Sequence, residues 1–299
     1  MNNNKQTTFH TLIDEFANLS QHLNVLVIGE TIIDEFIEVI YQGQSMKSFC
    51  PVFQYTEKEK AVQNGGVGAI VGHLKDFVKN VDVITNTENE IVKTRFIDKD
   101  GVKKHLELNK IDNKNFKEIN VRNEDYDVII IADFGHGFCD KINIQDGFHL
   151  MCQTNSYNFG FNRLSKWKNH NKKSVSLDLR EASLQINTQM TKCSDKEAIE
   201  IFNYEINCSD LYVTLGSKGA LHTAGEIVTR HDVIKSDIVD TIGAGDTFFA
   251  FASIASHLNL SHEHKLKIPS LAASLSTTWL CNEESVTKEK LRNYANTIV

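Results

Sequence analysis

The sequence predicts an α/β protein built on a mainly parallel central sheet, and three observations carry that expectation. Residues 25–28, 128–132, 175–177 and 211–215 are apolar almost throughout, as strands covered on both faces are. Between these runs lie stretches long enough for crossover helices, and the runs are too short to be buried helices themselves. The composition is that of a globular chain: 299 residues, 41% hydrophobic and 24% charged, enough for a full core without staples. Only Pro51 and Pro269 occur, and no Gly/Ser-rich linker interrupts the chain, so residues 1–299 are expected to form one domain.

The elements follow in order. Helical patterning covers residues 9–19, 66–77, 247–258, 270–280 and 288–297. Two stretches break the strand and helix alternation. One is 36–55; the other is 94–108, where Thr94-Arg95-Phe96-Ile97 and Lys103 to Leu108 flank Asp100-Gly101, a hairpin turn signal. Both read as strands of a small β appendage outside the main sheet.

Several classes of function are excluded. No apolar run approaches the roughly 18 residues that span a bilayer, and Met1-Asn2-Asn3-Asn4-Lys5 lacks the apolar stretch of a secretion signal, so a cytoplasmic protein is expected. Cys50, Cys139, Cys152, Cys193, Cys208 and Cys281 form no CxxC pair and fit incidental thiols better than a disulfide frame or a zinc site. A net charge of −7 gives no basic field for nucleic acid, and an anionic substrate must be held by local groups against that background.

The chemistry concentrates in Asp240-Thr241-Ile242-Gly243-Ala244-Gly245-Asp246, which runs directly into an apolar helix. Gly243 and Gly245 allow consecutive N–H groups to converge on one point at the helix start, where the dipole reinforces the attraction of an anion. A phosphoryl group fits there against bare amides. Asp246 stands beside it and can accept the proton of an attacking hydroxyl. The bland alternative is a plain helix cap preceded by glycines.

This string resembles the DTxGAGD signature of the PfkB/ribokinase family of carbohydrate kinases and matches it at every fixed position. The resemblance implies a ribokinase-like fold in which the β appendage, about 36–62 and 91–110, is a lid over the sugar that often pairs two subunits. It makes Asp246 the catalytic base and Gly243, Ala244 and Gly245 the anion hole. Asp34, at the exit of the first strand, resembles the family residue that hydrogen-bonds sugar hydroxyls. Asn64-Gly65-Gly66-Val67-Gly68-Ala69 resembles the second signature, which assigns Gly65 and Gly66 to the acceptor. Asp178-Leu179-Arg180-Glu181 resembles the NxxE motif, in which Glu181 and Asp178 act on magnesium through water. Val213-Thr214-Leu215-Gly216-Ser217-Lys218-Gly219 resembles the VTxGxxG turn, so Thr214, Gly216 and Gly219 approach the nucleotide together with Thr241.

Within the family, the heptose-7-phosphate kinase domain of ADP-heptose synthases is the nearest in pattern. The GE-x3-D opening, Lys93-Thr94-Arg95-Phe96 and Ala132-Asp133-Phe134-Gly135-His136-Gly137 carry that likeness and bring Arg95 and Asp133 into the acceptor site. An amide-rich run, Gln153 to Arg163, suits hydroxyl-rich ligands and adds Asn155. The implied cofactors are ATP and magnesium, with a monovalent cation as a further option; the implied partners are a sugar or sugar-phosphate acceptor and a second copy of the chain, with no nucleic acid and no membrane. Three positions depart from the family: Ile70 and Asp178 stand where it has Asn, and His136 where it has Lys. An unperturbed histidine titrates near pH ~6.5, so a phosphate contact through His136 is expected to depend on pH. These departures keep open a catalytically silent relative that binds a sugar or nucleotide as a scaffold or regulator.

Overall fold

The computed structural model describes residues 2–99, 103–114, 116–204 and 206–298, with side chains from residue 9 onward. The chain opens with α1 (Asn2–Ser20) and enters the central sheet through β1 (Asn24–Gly29). It leaves at once for a small sheet through β2 (Thr31–Gln44), β3 (Pro51–Tyr55) and β4 (Ala61–Gly66), and α2 (Val67–Leu74) leads back to β5 (Asn80–Ile84). A second excursion, β6 (Ile91–Ile97) and β7 (Lys104–Ile111), completes the small sheet. The short β8 (Ile119–Asn120) precedes β9 (Val128–Asp133) and pairs with β10 (Ile142–Asn143). Then come β11 (His149–Cys152), β12 (Lys172–Asp178), α3 (Leu179–Gln185), α4 (Asp195–Asn203) and β13 (Cys208–Thr214). The hairpin β14 (Ala220–Ala224) and β15 (Ile227–His231) leads to α5 (Ala244–His257), α6 (His262–Ser276) and α7 (Lys288–Ala295).

The central sheet has the order β15-β14-β13-β12-β11-β9-β1-β5, parallel from β13 to β5 and closed at one edge by the antiparallel hairpin. β1 and β9 are apolar on both faces because each face has its own core. Val25 and Val27 of β1 join Val128 and Ile130 of β9 under α1, α2, α5 and α6, whereas Leu26, Ile28, Ile129 and Ile131 pack on the side of α3 and α4. Phe16, Phe77 and Phe251 stack at the centre of the first core. No helix among the described residues is long and apolar enough to cross a membrane.

The four strands and five helices read from the sequence are present, with the starts of two helices displaced: α1 begins at Asn2, ahead of residue 9, and α6 ahead of residue 270. Helix α6 begins at His262, ahead of Pro269, because Ser261 caps it and Leu266, Ile268, Leu271 and Leu275 bury one face. Core burial outweighs the hydrogen bond that the proline removes. The capped helices α3 and α4 and the strands β5, β11, β14 and β15 are additions, short elements whose patterning gives little signal. The small sheet pairs β2 in parallel with β6, β6 antiparallel with β7, and β3 and β4 with β2. The Asp100-Gly101 turn lies outside the described residues, but the strands flanking it pair as expected, Ile97 opposite Lys104.

Candidate active site

Successive strands leave β1 in opposite directions, to β5 on one side and β9 on the other, which opens a crevice at the carboxyl ends of the strands. A cleft of about 930 Å³ lies there, between the central sheet, the start of α5 and the small sheet. It gathers Asp34, Gly66, Arg95, Asp178, Thr214, Gly216, Gly219, Thr241, Gly243, Ala244, Gly245 and Asp246, twelve of the sixteen residues expected at the site.

The glycine turn has the geometry that an anion needs. Gly243 is the N-cap of α5 with φ of 86°, a left-handed conformation that a side chain would strain, and a Cβ there would stand 2.5 Å from Asn282 Oδ1. At Gly245 an added Cβ would meet nothing within 4 Å, so the space beside its amide is open. The turn is held from beneath. Val286 N donates to His73 Nδ1 (3.0 Å), which fixes the proton of this buried neutral ring on Nε2. That nitrogen donates to Thr247 Oγ1 (3.0 Å), which in turn donates to the carbonyl of Gly243 (3.0 Å). Burial holds His73 down at about 4, with Lys290 adding to the effect, so the relay keeps one protonation state.

Asp246, in the first turn of α5, is 8% exposed and makes no side-chain hydrogen bond among the described residues. Burial pushes its carboxyl up to about 7; the charge of Asp34 adds to the rise and Lys93 opposes it. A carboxylate poised near neutrality at the mouth of an anion-binding turn has the properties of a general base.

At the acceptor end, Asp34 is buried and pairs with Arg95 Nη1, while Arg95 Nε binds Glu107 (2.9 Å). Arg95 is thus committed to two carboxylates and orients Asp34. Gly65 lies behind Asp34, outside the cleft lining, and a Cβ at 65 would collide with the Asp34 carboxylate. Lys93, register partner of Asp34, also lines the cleft, with no carboxylate of the described residues in ion-pair distance. Its place beside Arg95 in the sequence was the available signal.

Three other expected residues are turned into the protein. Asp133 has no exposed surface: Lys166 Nζ (2.6 Å), Trp167 Nε1 (3.0 Å), Asn162 Nδ2 (3.1 Å) and the Gly135 amide (3.1 Å) occupy it. Asn155 Oδ1 accepts from the amides of Tyr157 and Asn158, and its Nδ2 donates to the carbonyl of Phe134. Asn158 and Asn162 are likewise used within residues 133–162, so these amides shape their own loop instead of facing a ligand. Glu181 closes a capping box with Asp178 and also accepts from Thr154 N (2.9 Å), and burial pushes it up to about 8. His136 is buried against Tyr157 and held down at about 4 by burial, which overturns the expected titration near neutrality. Glu30, the acidic member of the GE opening, is fully buried and accepts the amides of Phe134, His136 and Phe138.

Elsewhere in the cleft the Gly219 conformation, φ of 85°, is glycine-specific, because a Cβ would overlap the carbonyl of His231. Asp178 lines the cleft and is exposed, with Oδ1 taking the Glu181 amide. Its carboxylate supplies the hard oxygen donor that magnesium prefers, so Asp178 could hold the ion, with Glu181 behind it.

The fold is ribokinase-like. Residues 179–280 match the model of the pfkB family carbohydrate kinases. The chain is 22% identical to the bifunctional protein HldE of Campylobacter fetus subsp. fetus over 85% of its own length and 62% of that protein, and 39% identical to the ribokinase of Lactococcus lactis subsp. lactis over 22% of each chain. The matched regions thus span less than two thirds of these relatives. Among solved structures, Thermotoga maritima ribokinase superposes with a TM-score of 0.65 at 15% identity, covering 92% of this chain and 99% of that one. Arabidopsis thaliana ribokinase, complexed with ribose and ATP, superposes with a TM-score of 0.59 at 16% identity, over 92% and 99% of the two chains.

Proposed function

We propose that this protein is an ATP-dependent kinase that transfers the γ-phosphoryl group of ATP to a hydroxyl of a sugar or sugar phosphate. One observation carries the reading: Asp246, buried and poised near pH 7, stands in the first turn of the helix whose glycine turn, Gly243 to Gly245, lines the same cleft as Asp34. Asp34 orients the acceptor. Its hydroxyl oxygen attacks the γ-phosphorus, the bond to the bridging oxygen of ADP breaks, and the proton passes to Asp246. The turn amides stabilise charge on the phosphoryl oxygens, where a single such donor is typically worth ~10² to 10³ in rate. Magnesium at Asp178 would neutralise phosphate charge. Thr214, Gly216, Gly219 and Thr241 shape the nucleotide end.

The free ammonium of Lys93 supports an anionic acceptor, and the likeness to HldE favours a heptose phosphate for surface-polysaccharide precursors. An ATP-dependent reaction of this kind belongs in the cytoplasm. The small sheet acts as the lid, which excludes water from the phosphoryl group, and its exposed apolar residues favour a homodimer through this sheet. The second reading, a catalytically silent scaffold, draws on Asp178 and the uncharged His136 in place of the family's Asn and Lys.

ADP release, measured with ATP, magnesium and a panel of free sugars, heptoses and their phosphates, separates the two. At least one acceptor is expected to stimulate release, and Asp246→Asn to lower that turnover by roughly 10² to 10⁴ while ATP still binds. Stimulation by no acceptor, or near-normal turnover in the variant, would overturn the kinase reading.

A further inference from the structure

The carboxylate that begins the glycine turn is buried, and its only side-chain counter-charge among the described residues comes from the small sheet. Asp240 is 6% exposed, and its Oδ1 accepts from Lys104 Nζ (2.9 Å) on β7 and from the backbone N–H of Ile242 (3.2 Å) inside the turn. Its Oδ2 is buried without a hydrogen-bond partner. Asp240 is tied on its other side, where its own amide and that of Val239 donate to the carbonyl of Thr277. Apolar packing runs along the same seam: Ile242 and Leu280 close over a cluster of Phe36, Ile97 and Cys281, and Ile97 is the register partner of Lys104.

We propose that Lys104 is a positioning residue that couples the seating of the small sheet to the shape of the anion-binding turn. With the sheet seated, the ammonium holds the Asp240 carboxylate in place, and the carboxylate holds the Ile242 amide. With the sheet lifted, Asp240 would be left buried and unpaired, so the carboxylate turns toward water and releases Ile242. The turn therefore takes its anion-binding form only beneath a closed cover. The coupling to turnover rests on the kinase reading; the coupling between sheet and turn does not.

Hydrogen exchange of the full-length protein tests the structural part directly, because the Ile242 amide is itself the reporter. In Lys104→Ala and Lys104→Met, exchange of amides 241–246 is expected to accelerate about 10- to 100-fold, the range of a lost charge-assisted hydrogen bond, while peptides from β1 and β9 keep the parent rate. Ethylammonium chloride is expected to slow exchange again in Lys104→Ala, whereas sodium chloride at the same ionic strength is not. Unchanged exchange in both variants overturns the proposal. So does acceleration that spreads to β1 and β9 and does not respond to ethylammonium, which marks a residue needed only for folding. With an acceptor identified, Lys104→Ala should lose acceptor-stimulated ADP release and regain part of it with ethylammonium. If no acceptor stimulates the parent protein, the kinase reading fails while the exchange result still decides the role of Lys104.

Discussion

At the scale of single residues, the site is built from carboxylates that the fold makes costly to ionise. Burial raises Asp246 to about 7 and Glu30 to about 7, so each binds its proton more tightly folded than unfolded. The sign follows: their stabilising contribution is complete below the unfolded pKa near 4 and is lost as pH rises through about 7. Asp246→Asn should therefore raise the melting temperature by several degrees at pH 8 and change it little at pH 4, a comparison that thermal scans at the two pH values will make. In the parent protein, acceptor-stimulated kcat/KM should climb with pH and level off above about 7, as the base becomes ionised. The seven-residue turn was legible because its chemistry is local, with backbone freedom and base in one string. Asp133, Asn155 and Glu181 were misplaced because their residue types fit a ligand as well as they fit backbone amides, and only the packing of distant segments decides between the two.

At the scale of elements, the first turn of α5 depends on a neighbour 174 residues away in sequence, His73 on α2. His73→Leu would strand the Val286 amide and leave the Thr247 hydroxyl without its donor, costing about 2 to 4 kcal/mol in urea unfolding. Acceptor-stimulated kcat should fall with it more than the affinity for ATP, since the turn loses its support and the nucleotide end does not. Arg95→Met would break a buried ion pair and leave Asp34 uncompensated, at about 3 to 5 kcal/mol in the same measurement. Helix and strand patterning predicted the elements with long apolar faces. It stopped short at α6, where Pro269 reads as a terminus until burial of Leu266 and Ile268 is known, and it passed over α4, although Ser194 and Glu197 carry the spacing of a capping box.

At the scale of the whole molecule, the parallel sheet and the separate small sheet were legible because central strands covered on both faces are written as unbroken apolar runs. The order of those strands was not, since nothing local records which runs pair. One face of the small sheet leaves Tyr41, Tyr55, Leu106 and Leu108 exposed, an apolar surface that a second copy would cover. Light scattering after size exclusion should report a dimer, and Tyr41→Lys with Leu108→Lys should shift it to a monomer.

The loop at residues 153–162 has a consequence of another kind. Its asparagines satisfy one another and the backbone beneath, so its form is self-made, while Phe159 and Phe161 stand 79% and 83% exposed at the tip. Form and outward identity are thereby uncoupled. Such a segment behaves as a cassette, whose projecting aromatics can be exchanged without disturbing the strand ends below.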